Sequence, residues 1–294
     1  MANLKDIKTR IGSVKSTEQI TKAMKLVSTS KLKKAQDNIQ GCRPYALNIK
    51  KLIEDIAQSK KVSHPLLEEA EVTSNASSIL FVVLTSDRGL CGGFNNNVAR
   101  WAENKAIELS SKHDKIDFTF IGKKGRDYFK TREIEATTDV RLNLAKDISY
   151  PLAKEIADDL LGSFKTGAYD EIHIVYNEFK SAIQQDVVCE RLLPLKMSTA
   201  DVSDKYEDKD LIFEPHPAQI IEELLEKHFT VQVYRVLSES IASEHAARMT
   251  AMDNASNNAK DAIDKLTLTY NKMRQAAITT ELIEITSGAE ALKG

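Results

Sequence analysis

Cysteines and long apolar runs are both scarce in this sequence, and each scarcity excludes a class of protein. The three cysteines, Cys42, Cys91 and Cys189, lie far apart in a chain of 294 residues and form no C-x-x-C pair. That spacing excludes a zinc ribbon, a redox dithiol and a disulfide framework, and it indicates a reducing compartment. The longest apolar run, Ile79 to Leu84, is far shorter than the ~18–20 residues that cross a bilayer. We therefore expect no transmembrane span.

Metal and nucleotide motifs are also missing. No H-x-x-x-H or H-E-x-x-H pattern occurs among the scattered histidines. The segment 86–95, SDRGLCGGFN, is rich in glycine but fits neither G-x-G-x-x-G nor G-x-x-x-x-G-K-[ST]. Its glycines suit a sharp strand-to-helix turn, and no histidine lies near Cys91 in the sequence to form a dyad. The sequence therefore predicts no catalytic residue, no metal and no cofactor.

Glycine and proline are absent from residues 218–287. As one helix, this stretch of seventy residues would extend over about 105 Å. Such a length is typical of a coiled-coil strand or a shaft. Heptad spacing agrees, because the seam counted from Met249 to Ala277 contains only Ser256 as a clearly polar member.

A second heptad pattern occupies the amino-terminal end. It runs from Leu4 to Val14 and from Leu32 to Ile56, and the seam positions between these stretches are polar. Those positions are Glu18, Thr21, Lys25 and Ser28, and the apolar Ile20, Met24 and Val27 are displaced from them by one position. One position turns the apolar stripe by about 100°, so we expect it to face something other than the seam partner. We expect the two long helices to pair antiparallel, with the carboxyl end of the second overhanging by roughly 20–25 Å.

The middle of the chain alternates between strand and helix patterns. Strands are predicted at 79–84, 116–121, 172–176 and 187–195, and helices at 98–110, 124–130 and 148–164. This order is typical of an open, mostly parallel sheet, here with an antiparallel hairpin at one edge. The fold class is therefore α/β plus a long antiparallel coiled coil. Its predicted parts are a helix at 1–60, a Rossmann-like α/β domain at 76–210 and a helix at 216–288.

Charge is distributed unevenly behind a net value of −2. Residues 1–61 form a basic arm, with fourteen Lys and Arg against five Asp and Glu. Its partner is either nucleic acid or an acidic protein surface. The first 44 residues lack Phe, Tyr and Trp for stacking on bases, which favours the protein surface. From the residues alone, a coiled-coil adaptor, a nucleic-acid-binding arm protein and an enzyme with a degenerate dinucleotide fold remain open.

Three separated regions together carry a resemblance to a known family. They are IKTRIGSVK (7–15) with ITKAMKLV (20–27), the loop 86–95, and EHAARMTAM (244–252) with YNKMRQAAIT (270–279). They closely resemble the gamma subunit of F-type ATP synthases, and the similarity covers the whole chain. The resemblance implies a rotor shaft without an active site, which couples hydrogen ion or other ion transport to ATP synthesis and hydrolysis on the beta subunits.

Partners and location also follow from the resemblance. It implies contacts with the hexamer of alpha and beta subunits, the epsilon subunit and the c-subunit ring. It further implies a peripheral position on the cytoplasmic face of a bacterial inner membrane, because the similarity begins near Met1 and leaves no room for a presequence.

The resemblance also implies three sets of contact residues. Beta-subunit contacts are expected at Met24, Cys91, Arg274 and Gln275, c-ring contacts at Leu211, Phe213 and Glu214, and an axle tip in a bearing at Ile278, Leu282 and Ile285.

ATP hydrolysis assays with and without the partner subunits distinguish an enzyme from a rotor shaft. An enzyme turns over ATP alone, whereas a shaft acts only in the assembly.

Overall fold

Ten elements make up the computed structural model, which describes residues 4–60, 66, 78–111, 113–132, 140–141, 148–195 and 217–291. In chain order they are α1 (Leu4–Lys60), β1 (Ser78–Leu84), α2 (Phe94–Leu109), β2 (Lys115–Ile121), α3 (Lys123–Thr131), β3 (Val140–Arg141), α4 (Tyr150–Lys165), β4 (Glu171–Phe179), β5 (Gln185–Leu193) and α5 (Pro217–Ala291). The predicted fold class, two long terminal helices with a mostly parallel sheet between them, is confirmed.

The five strands form one sheet in the order β3-β2-β1-β4-β5. Strands β1, β2, β3 and β4 pair in parallel, and β4 and β5 pair antiparallel as the predicted hairpin. The short loop between β4 and β5 is the reason, because a parallel pair needs a much longer crossover. The two-residue β3 is an addition to the strands predicted from the sequence.

Both faces of the sheet are covered. On one face, side chains of β1 and β4 such as Val82 and Ile174 pack with Ile53 of α1, Ile156 of α4 and Phe229 of α5. The opposite face packs against α2 and α3 with an aromatic cluster of Phe81, Phe118, Phe120 and Phe129. Burial on both faces explains the continuous apolar run of β1.

The chain divides into two compact units, and each long helix contributes to both. The described parts of residues 1–28 and 249–294 form the coiled-coil unit, and residues 29–248 form the sheet unit. In the sheet unit α1 continues through Pro44, although an interior proline removes a helical hydrogen bond. Burial of Ala46, Ile49 and Ile56 on the following turns holds this part of the helix in place.

Within the coiled-coil unit, α1 and α5 pair along the predicted heptad positions. Lys25 Nζ lies 2.6 Å from Asp253 Oδ1, which shows which residues of the two helices lie opposite each other. Met252, Ser256 and Ala259 of α5 are buried. Leu4 precedes Lys25 by as many residues as Arg274 follows Asp253, so antiparallel pairing ends near Arg274. The side chains from Arg274 to Glu290 are all exposed, which confirms the predicted overhang at the carboxyl end.

The polar positions of the α1 heptad remain in the seam. Thr21 and Ser28 are buried, and Glu18 and Lys25 are half-buried. Thr21 Oγ1 donates to Glu18 O at 3.0 Å, so its hydroxyl needs no partner on the other helix. The seam of α1 is therefore polar at these positions, and their side chains still lie in the interface with α5.

Candidate partner-contact sites

The loop between β1 and α2, residues 85–93, lies at the carboxyl edge of the parallel sheet, where doubly wound folds bind ligands. It lies beside the turn that follows β2. Lys123 N donates to Asp87 Oδ1 at 3.0 Å, and Gly125 N donates to Thr85 Oγ1 at 2.8 Å. The two turns therefore form one connected surface.

Asn95, in the first turn of α2, closes this loop. Its Oδ1 accepts a hydrogen bond from Ser86 N at 2.8 Å, and its Nδ2 donates to Cys91 Sγ at 3.2 Å. The side chain of Cys91 is only 2% exposed, and burial raises the pKa of its thiol. A buried thiol with a raised pKa is a structural and unreactive group. Cys91 itself therefore offers little surface for the beta-subunit contact that the family resemblance implies.

Leu90 occupies the exposed position next to Cys91. Its side chain is 64% exposed and its φ is 63°, a left-handed conformation that costs a residue with a Cβ about 1–2 kcal/mol. Gly92, with φ 59°, adopts the same region without that cost. Strained residues of this kind persist where surrounding contacts hold them, often at functional sites. The loop thus presents Leu90, together with the exposed Arg88, on its outer surface.

Arg248 of α5 fixes the loop from the other side. Its Nη2 donates to Gly89 O at 3.3 Å, and its Nη1 lies 2.7 Å from Glu244 Oε1. Burial raises the pKa of Glu244, and Arg248 opposes that rise. Burial lowers the pKa of His245 to about 4, so this imidazole is neutral at pH 7. The i, i+4 spacing of Glu244 and Arg248 is the sequence signal for their pairing, whereas nothing in the sequence indicates the contact with Gly89.

A second candidate surface lies on α1. Ile20 and Val27 are exposed and Met24 is half-buried, and we call these three residues the apolar face of α1. They lie beside the seam, as the displaced stripe predicts. Exposed apolar patches are typical of protein contact surfaces.

The carboxyl end of α5 carries the third set of residues. Arg274 and Gln275 are exposed, directly after the half-buried seam residue Met273. Ile278, Leu282 and Ile285 are exposed as well, so no described part of the chain buries these large apolar side chains. The predicted c-ring contacts Leu211, Phe213 and Glu214 lie outside the described residues.

Clusters of metal ligands and helices able to cross a membrane are two further features that bear on function. Nowhere in the described ranges do three or more His, Cys, Asp or Glu side chains come together as metal ligands. Among the described helices, none combines the length and hydrophobicity that a membrane crossing needs.

Comparison with known proteins places this arrangement in a family. A family model described as ATP synthase matches residues 3–292. The chain is 57% identical over 300 residues to the ATP synthase gamma chain of Bdellovibrio bacteriovorus and 46% identical over 295 residues to that of Geobacter sp. (strain M21), each time covering all of both chains.

Solved structures show the same fold. A structure of the central stalk and c-ring of the Tetrahymena thermophila mitochondrial ATP synthase contains a chain that is 27% identical, with a TM-score of 0.58, covering 81% of this chain and 99% of that one. A chain in the Euglena gracilis mitochondrial OSCP/F1/c-ring structure is 21% identical, with a TM-score of 0.67, covering 98% and 94%. By its full-length similarity to these relatives, the chain belongs to the ATP synthase gamma chain family.

Proposed function

We propose that this chain is the central rotor shaft of an F-type ATP synthase. It couples ion translocation through the membrane sector to ATP synthesis or hydrolysis on the beta subunits, and it is itself a non-catalytic subunit. The observation that supports this function is the similarity to ATP synthase gamma chains over the full length of the chain. A free-standing coiled-coil adaptor or a nucleic-acid-binding arm protein is not favoured, because the matched relatives are gamma chains along their whole length.

The partners of this shaft are the hexamer of alpha and beta subunits, the epsilon subunit and the ring of c subunits. Similarity to chains in central stalk and F1/c-ring assemblies supports this set. This subunit belongs to a part of the complex that is peripheral to the membrane. The finer location, the cytoplasmic face of a bacterial inner membrane, is part of the proposal and is supported by the bacterial relatives.

Contacts with the beta subunits are proposed at three places. Arg274 and Gln275 form the first, the apolar face of α1 around Met24 the second, and the β1–α2 loop the third. In that loop we assign the contact surface to Leu90 and Arg88, with Cys91 supporting them from inside. The basic arm adds attraction to acidic partner surfaces. Because a partner shifts conformations only through its differential affinity for them, contacts made in one rotational position favour one state of a beta site.

Two further contacts are proposed at the ends of the shaft. Ile278, Leu282 and Ile285 form an apolar axle tip that the hexamer surrounds. Leu211, Phe213 and Glu214 precede α5 in the sequence and couple the shaft to the c ring. We also keep the division into a helix at 1–60, an α/β domain at 76–210 and a helix at 216–288 as part of the proposal.

Arg274 provides the test of the shaft function. A guanidinium offers a planar fork to a carboxylate or to carbonyls, and a charge-assisted hydrogen bond contributes roughly 1.5–3 kcal/mol. If that bond forms in one rotational position only, its loss slows the dependent step about tenfold or more. We therefore expect Arg274→Ala to lower steady-state ATP hydrolysis by the assembled complex, and Arg274→Lys to recover part of the loss. Lys265→Ala, at an exposed cation on the same helix, is the matched control and should retain the parental rate.

The proposed contact of Leu211, Phe213 and Glu214 with the c ring, which we call the foot contact, is tested by measuring ATP-driven ion pumping together with ATP hydrolysis. Replacing Phe213 and Glu214 together by Ala should lower ATP-driven ion pumping more than ATP hydrolysis. If the Arg274 variants hydrolyse ATP at the parental rate, the proposed contact at Arg274 is wrong. If the Phe213 and Glu214 double variant keeps the parental ratio of pumping to hydrolysis, the proposed foot contact is wrong. If the complex assembles and couples fully without this chain, the shaft function itself is wrong.

A further inference from the structure

A buried cluster of charges lies where α5 packs on β4 and β5 in the sheet unit. At its centre is the Arg235 guanidinium, which forms an ion pair with Glu190 through Nη2 and Oε2. The Nη1 group of Arg235 donates to Tyr176 Oη and to Glu239 Oε1, both at 3.3 Å. Its Nε donates to Gln232 Oε1 at 2.9 Å. One cation therefore serves two carboxyl groups.

The two carboxyl groups are compensated unequally. Glu190 has a partner on each oxygen, because Tyr176 Oη donates to its Oε1 at 2.6 Å and Arg235 binds its Oε2. Among the residues that the structure describes, the hydrogen-bond partner of Glu239 is Arg235, which contacts its Oε1, and its buried Oε2 has none. Glu239 as a whole is 5% exposed. A buried carboxylate that is only partly compensated is costly, and a carboxyl group in that position avoids the cost by taking up a proton.

The groups around Glu239 come from every element packed there. They are Arg235 on α5, Tyr176 and Glu178 on β4, Lys180 in the β4–β5 loop, Glu190 on β5 and Cys42 on α1. Lys180 Nζ lies 2.8 Å from Glu178 Oε2, so these two compensate each other. Among the described residues, Arg235 then faces two carboxylates when Glu239 is ionised, and these groups together carry one excess negative charge. Burial raises the pKa of Glu239, and Arg235 opposes that rise.

We propose that Glu239 is a proton-uptake site that makes the packing of α5 on the sheet pH-dependent. A proton from solution binds to the carboxylate, which leaves the Arg235–Glu190 ion pair as a neutral unit. Loss of that proton restores a buried carboxylate that shares Arg235 with Glu190 and has an unpartnered Oε2, and this weakens the packing. The site is independent of the proposed shaft function, since it concerns the folded chain itself.

The sign of the pH dependence follows from proton binding. The folded chain holds the Glu239 proton at pH values where the unfolded chain has already released it. Where the native state binds more protons, stability falls as pH rises. Stability from this group is therefore present in acid and is lost as pH rises from the ordinary range of a glutamate through the raised pKa.

The experiment measures urea unfolding of the full chain at a series of pH values between the ordinary glutamate range and pH 8. Trp101 of α2, the single tryptophan, packs in the sheet unit and reports unfolding by its fluorescence. We expect the unfolding free energy of the parent to fall relative to that of Glu239→Gln as pH rises. The slopes of the two free energies against pH should differ by up to the equivalent of about one bound proton per chain. Parallel curves for the two chains would overturn the proposal.

Glu223→Gln is the matched control on the same helix. Glu223 is exposed and lies 2.7 Å from Lys227, which lowers its pKa. Above the ordinary glutamate range this group is ionised in both states, so over that part of the range its variant should run parallel to the parent.

A second measurement keeps the test decisive if Glu239→Gln folds poorly. Infrared spectra of the native chain report protonated carboxyl groups directly, and they are recorded in a Glu244→Gln background because that buried group also has a raised pKa. A protonated-carboxyl band that persists above the ordinary glutamate range and disappears at higher pH supports the proposal. Its absence above that range overturns it.

Discussion

Gly122 shows how a single residue determines the edge of the sheet. It follows β2 with φ 104°, and a Cβ built there would lie 2.0 Å from Thr85 O. The close approach lets Gly125 N reach the Thr85 hydroxyl and joins the turn after β2 to the β1–α2 loop. A glycine is required here for two reasons, since both the backbone conformation and the contact exclude a side chain.

We expect Gly122→Ala to lower the free energy of unfolding by about 3 kcal/mol or more, because strain and a backbone clash add. Gly167→Ala is the control. Its φ is 71°, but a Cβ there meets nothing within 4 Å, so the expected loss is about 1–2 kcal/mol from conformation alone. Urea unfolding followed by Trp101 fluorescence measures both. Equal losses would show that the contact with Thr85 contributes nothing.

Residue types could be predicted at this scale, but residue environments could not. The sequence places Leu90 and Cys91 in a glycine-rich turn after a buried strand, and that turn is correct. Which of the two is exposed depends on hydrogen bonds from Asn95 and on the contact of Arg248 with Gly89. The second of these joins residues far apart in the chain, so no local pattern contains it.

Helix α1 shows what the heptad pattern can and cannot predict about one helix. The heptad count predicts its pairing with α5 correctly over both apolar stretches. At Thr21 and Ser28 the count finds polar residues and indicates a break, whereas the structure keeps both in the seam. A threonine that bonds to its own helix is buried without an interhelical partner. Hydrophobicity alone does not detect such a position, because side-chain size and local hydrogen bonding decide it.

Opposite substitutions on α1 separate the seam from the apolar face. Thr21 is 7% exposed and Val27 is 58% exposed. We expect Thr21→Val to stabilise the coiled-coil unit by about 1 kcal/mol, because a buried hydroxyl is exchanged for a methyl group of similar size. Val27→Thr should change the stability of the isolated chain by less than about 0.5 kcal/mol.

Thermal unfolding of both full-length variants, followed by circular dichroism, measures the difference. In the assembled complex, Val27→Thr should lower ATP hydrolysis and Thr21→Val should not, because only Val27 belongs to the proposed contact surface. A more stable Val27→Thr chain, or equal shifts for both variants, would contradict this division of the helix.

At the scale of the whole molecule, the central sheet and the long helix α5 follow from a few features of the sequence. Alternating strand and helix patterns predict the parallel sheet, and the missing glycine and proline predict α5. The position of β3 was not predictable, because its two residues are too few for a period and pair only through β2. The foot contacts remain predictions from the family resemblance.

Substitutions at the carboxyl end of α5 test whether this end is buried in the assembled complex. Ile278, Leu282 and Ile285 are exposed in the isolated chain, so replacing all three by Ala should leave its helix content and unfolding temperature unchanged. If the hexamer surrounds this end, each side chain buried there contributes about 1.5–3 kcal/mol, and the assembled complex should lose thermal stability. Replacing the exposed Glu281 and Glu284 by Ala is the control and should leave both preparations unchanged. The survival of ATP hydrolysis after heating measures the effect, and parental survival of the triple variant would show that these three residues do not sit in a bearing.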